Sequence, residues 1–428
     1  MIYPGPLNRE QRLKTQKNYC RFNLINGAAY MCLGETIIVL FAIKLNAPNG
    51  MVASLSACIY FAFIMLPLGK LVAGKVGAAR SQAVFWTIRN FVAVGVAASS
   101  LTAYFGFHTL ALVQIFVGAC LFYGLRAAGV VMAQPFIGDM TTESERPQLL
   151  GNSAAQFYIG SVCSLLMIWA LLSWNESIAM ITGIIVWGAM LGLTSTYFIR
   201  QMDESPAMIQ AARRPLMNEF RRVWQIAEIR KLLPAMFTVT LSLIMIGAVS
   251  MLCVKRGLGV SDKAALYFSL IQFLSCCGVS YLSATVLRRF GARKSLFMSF
   301  GVILAVGVLW LLAPLQMNYV YVSILFVFIG GASVTSMNAT TTYYLQITPE
   351  KFRVAASMLT SVVTSVLAGV AGMFLSSNAF RVIDAKLITW EPMNRFKVYF
   401  AFALILLSAL SFTVWQLPEK RQKQLNKS

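Results

Sequence analysis

The most constraining feature of this chain is a recurrence: between Phe22 and Leu417, apolar runs of 20 or more residues alternate with short polar or basic stretches. A run of about 20 apolar residues crosses a hydrocarbon core of about 30 Å as a helix. Lipid offers no partner to an unpaired backbone amide, so uninterrupted apolar runs of this length read as helices. The expected spans are 22–44, 50–73, 82–105, 109–134, 148–173, 177–199, 232–254, 264–287, 295–314, 319–346, 354–377 and 397–417. Composition agrees, since only 12% of residues are charged, against about 25% in soluble domains. The chain therefore reads as an all-α, multi-pass integral membrane protein. Residues 1–21 are polar and basic and lack an apolar stretch with a small-residue cleavage site. The first run is thus expected to be a retained membrane helix rather than a signal peptide.

Loop charge sets the expected orientation. The N-tail, the loops after even-numbered spans, the central linker and the C-tail carry 26 of the 36 Lys and Arg residues. The opposite loops carry eight, and Arg89 and Arg126 lie inside spans. Positive loops remain inside, so both termini are expected in the cytoplasm of a plasma (inner) membrane protein. The net charge of +21 then reflects topology and anionic lipid headgroups, and no nucleic-acid partner is implied. The expected organisation is an N-tail (1–21), a six-helix bundle (22–199), a cytoplasmic linker (200–231) with helical alternation suited to the membrane face, a second six-helix bundle (232–417) and a C-tail (418–428).

Short motifs exclude more than they assign. GKLVAGKVGAARS (69–81) imitates a nucleotide-binding loop, but its last anchor is Val76, which has no hydroxyl for Mg²⁺. The eight cysteines show no C-x-x-C spacing and read as apolar fillers. There is no H-E-x-x-H or G-x-S-x-G, and the sole histidine, His108, sits at a span's outer start. No enzyme chemistry, cofactor or metal is expected.

The same punctuation appears twice. VAGKVGAARS (72–81) and VLRRFGARKS (286–295) align Gly77 with Gly291, Lys75 with Arg289, and Arg80 with Lys294. Two spans later, DMTTESERPQLLG (139–151), which opens on Asp139, and QITPEKFRVAA (346–356) align Arg146 with Arg353. The offsets of 214 and 207 residues imply a repeat of six helices, a common plan among secondary transporters. The chain resembles the major facilitator superfamily on these grounds: twelve spans, a central loop, and two copies of a loop similar to the family's G-x-L-a-D-r-x-G-r-r signature. The family's acidic position is Gly74 in one copy and Arg288 in the other, which departs from its ion-pair gate. LRAAGVVMA (125–133) resembles the family's fourth-helix motif with one residue missing. Gly151 and Gly160 have its antiporter spacing, without the following Gly-Pro.

Polar groups inside spans must find partners or line water. Glu35 is the one acid well inside a span, and with Arg126 it is the expected proton-coupling pair, Tyr123 sharing the arginine's face. Gln156, Gln272, Thr335, Asn338 and Thr342 are the other expected cavity residues; the last three share one face of span ten. The resemblance places spans one, four, seven and ten around the cavity. Ser357, Ser361 and Ser365, and the Gly188/Gly192 pair, suit helix packing. Arg89 is expected to snorkel to the interface. The resulting expectation is a monomeric secondary transporter in the bilayer, moving a small solute by alternating access with a proton or other coupling ion. The alternatives are a transport-inactive receptor or scaffold on the same fold, and a multidrug efflux antiporter.

Overall fold

The computed structural model describes residues 2–3, 5–47, 51, 55, 58, 62–260, 262–349 and 352–418, without the side chains of Glu35, Thr36, Leu216, Met217, Asp262, Lys263, Ala264 and Leu266. The described residues form helices joined by short turns, with one isolated bridge, Ile2 to Glu204. Ten described stretches are long and apolar enough to cross a membrane. One of them, Tyr267–Leu312, merges the eighth and ninth expected spans. Of the second expected span, 50–73, residues 50, 52–54, 56, 57 and 59–61 lie outside the described residues.

The first half comprises α1 (Arg9–Leu33), α2 (Glu35–Lys44), α3 (Leu66–Val76), α4 (Ala78–Tyr104), α5 (His108–Val130), α6 (Ala133–Asp139), α7 (Arg146–Trp174) and α8 (Ile178–Arg200). The linker carries α9 (Pro206–Arg213) and α10 (Leu216–Gln225). In the second half lie α11 (Ala227–Ser242), prolonged by π turns to Gly257, α12 (Asp262–Leu312), α13 (Tyr319–Ile347), α14 (Arg353–Ser361), α15 (Ala368–Lys386) and α16 (Pro392–Trp415).

Two expectations change at the N-terminus. Helix α1 begins at Arg9, well before the apolar run, because Asn8 and Gln11 form a reciprocal capping box at 2.9 Å in each direction. The first span is also broken: Gly34 is extended (φ −70°, ψ 167°) and separates α1 from α2. The tail is thus largely helical, and the span expected as one rod is two.

Helices α1 and α7 approach until a Cβ at Gly27 would overlap the Phe157 carbonyl, and one at Gly160 the Leu24 carbonyl. Only glycine permits backbones this close, and dispersion rather than hydrophobicity holds them in lipid. Gly151, on the same helix, meets the Ser280 carbonyl of α12, so α7 also packs across to the second half. The glycines with antiporter spacing are packing positions on two different neighbours. Gly188 and Gly192 likewise seat α8 against Cys32 and Leu33 of α1 and Asn90 of α4.

The core is asymmetric along the helix axes. At the end bearing the linker and both termini, one continuous cluster joins the halves, with Leu66, Met140 and Leu149 from the first and Leu287, Tyr344 and Val354 from the second. Toward the opposite end the cores are separate: one draws only on residues 32–189, the other only on 241–407. The halves are sealed together at the linker end and packed independently at the other.

Candidate functional site

The sealed end is built around the two repeated loops. Gly77 (φ 96°, ψ 165°) and Gly291 (φ 78°, ψ 162°) adopt nearly the same left-handed conformation, one opening α4 and the other kinking α12. L-residues are strained there, which explains why glycine stands at both positions. Arg146 and Arg353 are each the first residue of their helices, α7 and α14. The four residues aligned by sequence thus occupy matching places in the two halves.

Their surroundings differ. Behind Gly77 sits the carboxylate of Glu204, whose Oε2 accepts hydrogen bonds from the backbone N–H groups of Ala78 (2.6 Å) and Ala79 (3.3 Å). It caps the α4 N-terminus, where the helix dipole favours negative charge. Burial pushes the Glu204 carboxyl above the usual carboxylate range, and the two amide bonds draw it partly back. An acid from the linker thus caps the loop whose own residue at the family's acidic position is Gly74. No described atom lies within 4 Å of a Cβ built on Gly291.

The rest of the linker is fastened in the same way. Asp203 pairs with Lys14 at 3.1 Å, and Asp139 accepts from the backbone N–H (3.0 Å) and hydroxyl (2.5 Å) of Ser205. Lys70 reaches under the linker, 3.6 Å from the buried Glu219 carboxylate, and donates to the Arg214 carbonyl. Burial raises the Glu219 carboxyl, opposed by Lys70 and Arg214. Lys75, Arg80, Arg289 and Lys294 are exposed; of these, Arg289 lies over the Phe290 ring at 5.5 Å. Arg353 reaches across the seam, its Nη1 at 2.9 Å from a Cβ built on Gly138 at the end of α6. Arg146 is buried beside it and feels both that cation and Glu143. The sequence reading missed Glu204, Lys70 and Glu219. Its available signal was an acidic dipeptide, Asp203-Glu204, at the start of an otherwise basic linker.

At mid-depth, the expected cavity residues separate into two sets. Arg126 is half-buried, its guanidinium 4.7 Å above the ring of Tyr30 in α1. Tyr30 packs on Phe157 (5.8 Å), and the adjacent Tyr158 packs on Phe273 of the second half (5.7 Å). Gln156 and Gln272 are half-buried on the two helices that this aromatic contact joins. Tyr123 is buried against Phe122, with ring centroids 5.4 Å apart. In α13, Asn338 is fully buried and its Nδ2 donates to the Ser283 hydroxyl at 2.9 Å, tying α13 to α12 in this conformation. Thr342 is buried with no hydrogen-bond partner for its hydroxyl, whereas Thr335 is half-buried. The backbone of Glu35 opens α2, directly after the Gly34 break. The expected Glu35–Arg126 contact lies outside the described residues.

Arg89 corrects its expectation. Rather than reaching the interface, it is 3% exposed and lies between Trp86 (4.4 Å) and Phe122 (5.0 Å). Rings on adjacent turns of α4 and on α5 hold the cation by their faces, which outweighs a path to water.

A family model described as Major Facilitator Superfamily matches residues 22–373. No curated protein sequence matches the chain. Among solved structures, a proton:xylose symporter, XylE, bound to 6-bromo-6-deoxy-D-glucose is similar at a TM-score of 0.71 and 13% identity, over 96% of this chain and 97% of its own. The transporter FucP in its outward conformation gives 0.70 and 12%, over 96% and 100%. A bacterial homologue of the iron transporter ferroportin, in its outward-facing state, gives 0.69 and 11%, over 94% and 99%. Identities this low speak for fold alone, and the fold agrees with the family match. With its repeated loop glycines, twin helix-opening arginines and sealed linker end, this chain belongs to the Major Facilitator Superfamily.

Proposed function

We propose that the protein is a proton-coupled secondary transporter of a small solute, working as a monomer by alternating access, with both termini in the cytoplasm. The observation that carries this reading is the axial asymmetry: a single core seals the halves at the linker end, and two separate cores face each other at the other. By loop charge the sealed end is cytoplasmic, so this conformation opens outward. Rocking the halves about the aromatic contact of Tyr158 and Phe273 would break the seal and expose mid-depth groups to the inside. Glu35 is the proposed proton carrier, as the one acid well inside the spans, while Arg126, Gln156 and Gln272 face the solute.

Spin labels at positions 80 and 294, exposed on the two matching loops, test the reading without knowledge of the solute. Alternating access predicts two separations in liposomes, one compact and one open. A single separation under all conditions would favour the inactive scaffold. Glu35→Gln should still bind solute in a thermal-shift assay but lose accumulation driven by a pH gradient. Undiminished accumulation would remove Glu35 from the proton's path.

A further inference from the structure

Charge does not balance inside the spans. Lys44 and Lys70, near span ends, pair with Glu176 and Glu219, and Lys397 opens a span; deeper than these the spans hold two cations, Arg89 and Arg126, and one acid, Glu35. Whatever Glu35 pairs with, one positive charge remains, and protonation of Glu35 leaves two. A net charge inside a membrane protein is costly and marks a group that meets a ligand or an ion.

The geometry shows which cation meets it. Arg89 is 11 residues into α4 and Arg126 is 13 residues before the end of α6, about 16 Å and 20 Å of helical rise from the sealed end. They lie at similar depth, and Arg89 feels the charge of Arg126. Arg89 is enclosed: among the described residues it reaches, besides its two rings, only the Asn90 side-chain oxygen, at 3.4 Å, and its Nε has no hydrogen-bond partner there. Asn90 Nδ2 is likewise buried without a partner. Among the described residues, no carboxylate lies within ion-pair distance of either arginine. Arg126, by contrast, is half-buried and rests on Tyr30 by one face of its guanidinium, and no other described side chain takes its donor edge. A planar guanidinium held on an aromatic face is preorganised for a bidentate carboxylate.

We infer that the solute is a small organic monocarboxylate, bound through its carboxylate by Arg126, with Arg89 behind it adding positive field. The inference rests on the transporter reading and deepens it by naming the substrate class. One carboxylate neutralises the excess charge that remains while Glu35 is ionised. A cationic drug would add to that excess, which counts against it as cargo at this site. The aromatic cluster of Tyr30, Phe157 and Tyr158 supplies an apolar wall for the solute's body.

The test uses the purified full-length protein and matched probes that differ in charge: benzoate against benzyl alcohol, D-glucuronate against D-glucose, and lactate against 1,2-propanediol. The thermal midpoint should rise with at least one carboxylate and stay unchanged with its neutral counterpart. Arg126→Gln should raise the half-saturating concentration at least tenfold, and Arg126→Lys, which keeps the charge but not the fork, should restore part of the response. Both variants must elute as the parent does on gel filtration; should the first not, the comparison of the second with the parent carries the test. Neutral probes acting as well as the acids, no acid acting at all, or unaltered responses in the variants would overturn the inference. If it falls while labels at 80 and 294 still report two separations, only the substrate class is lost. A single separation removes the transporter reading whatever binds.

Discussion

Replacing Gly77 and Gly291 by alanine gives a comparison in which backbone conformation is held nearly constant and surroundings vary. Both residues sit at positive φ with ψ near 160°, a region almost reserved for glycine, where another residue costs about 1–3 kcal/mol. At Gly291 that strain is the whole effect, because no described atom lies within 4 Å of the added Cβ. At Gly77 the Cβ overlaps the Glu204 carboxylate, which must leave the N–H groups of Ala78 and Ala79. Losing those bonds at a buried helix start adds about 1–3 kcal/mol. Gly77→Ala should therefore be the more damaging by about that second amount. The assay is unfolding of purified protein, completed as a cycle with Glu204→Ala. Once alanine at 77 has displaced the carboxylate, removing it should cost little more, so the double variant should be markedly more stable than the sum of the singles. Equal effects at 77 and 291, or strict additivity with Glu204→Ala, would refute the cap.

Three further outcomes follow from the same geometry. Glu219 is buried at the seam against Lys70, with Arg214 and Arg222 also facing it; its carboxyl is raised above the ordinary value of 4.5. The folded state thus binds the proton more tightly than the unfolded chain, and this contribution is full below about 4.5 and lost as pH rises through the raised value. Stability to unfolding should fall as pH rises through that range, and Glu219→Gln should flatten that response; an unchanged slope would count against Glu219. Gly160→Val would drive α7 off the α1 backbone at Leu24, where neither main chain can yield, lowering stability by about 3 kcal/mol in the same unfolding assay. Asn338→Leu should destabilise measurably, since the Ser283 hydroxyl loses the amide that it accepts from; a neutral result would free Asn338 from its packing role.

What could be read from the chain alone was whatever repeats or accumulates along it. Apolar run length fixes how often the chain can cross lipid, and loop charge is a sum over neighbours. The spacing of Gly77 and Gly291 and of Arg146 and Arg353 survives as an offset that can be counted. Local stereochemistry was legible too, since glycine is demanded at positive φ regardless of what packs nearby. Tertiary structure decided whatever depends on partners distant in sequence. The Glu204 carboxylate reaches Ala78 across 126 residues, so the acid that caps this loop could not be located by inspecting the loop. Arg89 looked free to snorkel because its rings lie on two helices, and only their packing encloses it. Asn338 was expected in the cavity by its polar face, and that its amide donates to a hydroxyl on α12 in this conformation depends on packing between distant segments. The sealed end is a property of two halves in contact, and it is built from apolar surface that each half contributes. Sequence records that surface, but which end it closes depends on the relative position of two bodies whose contacts are spread across the whole chain.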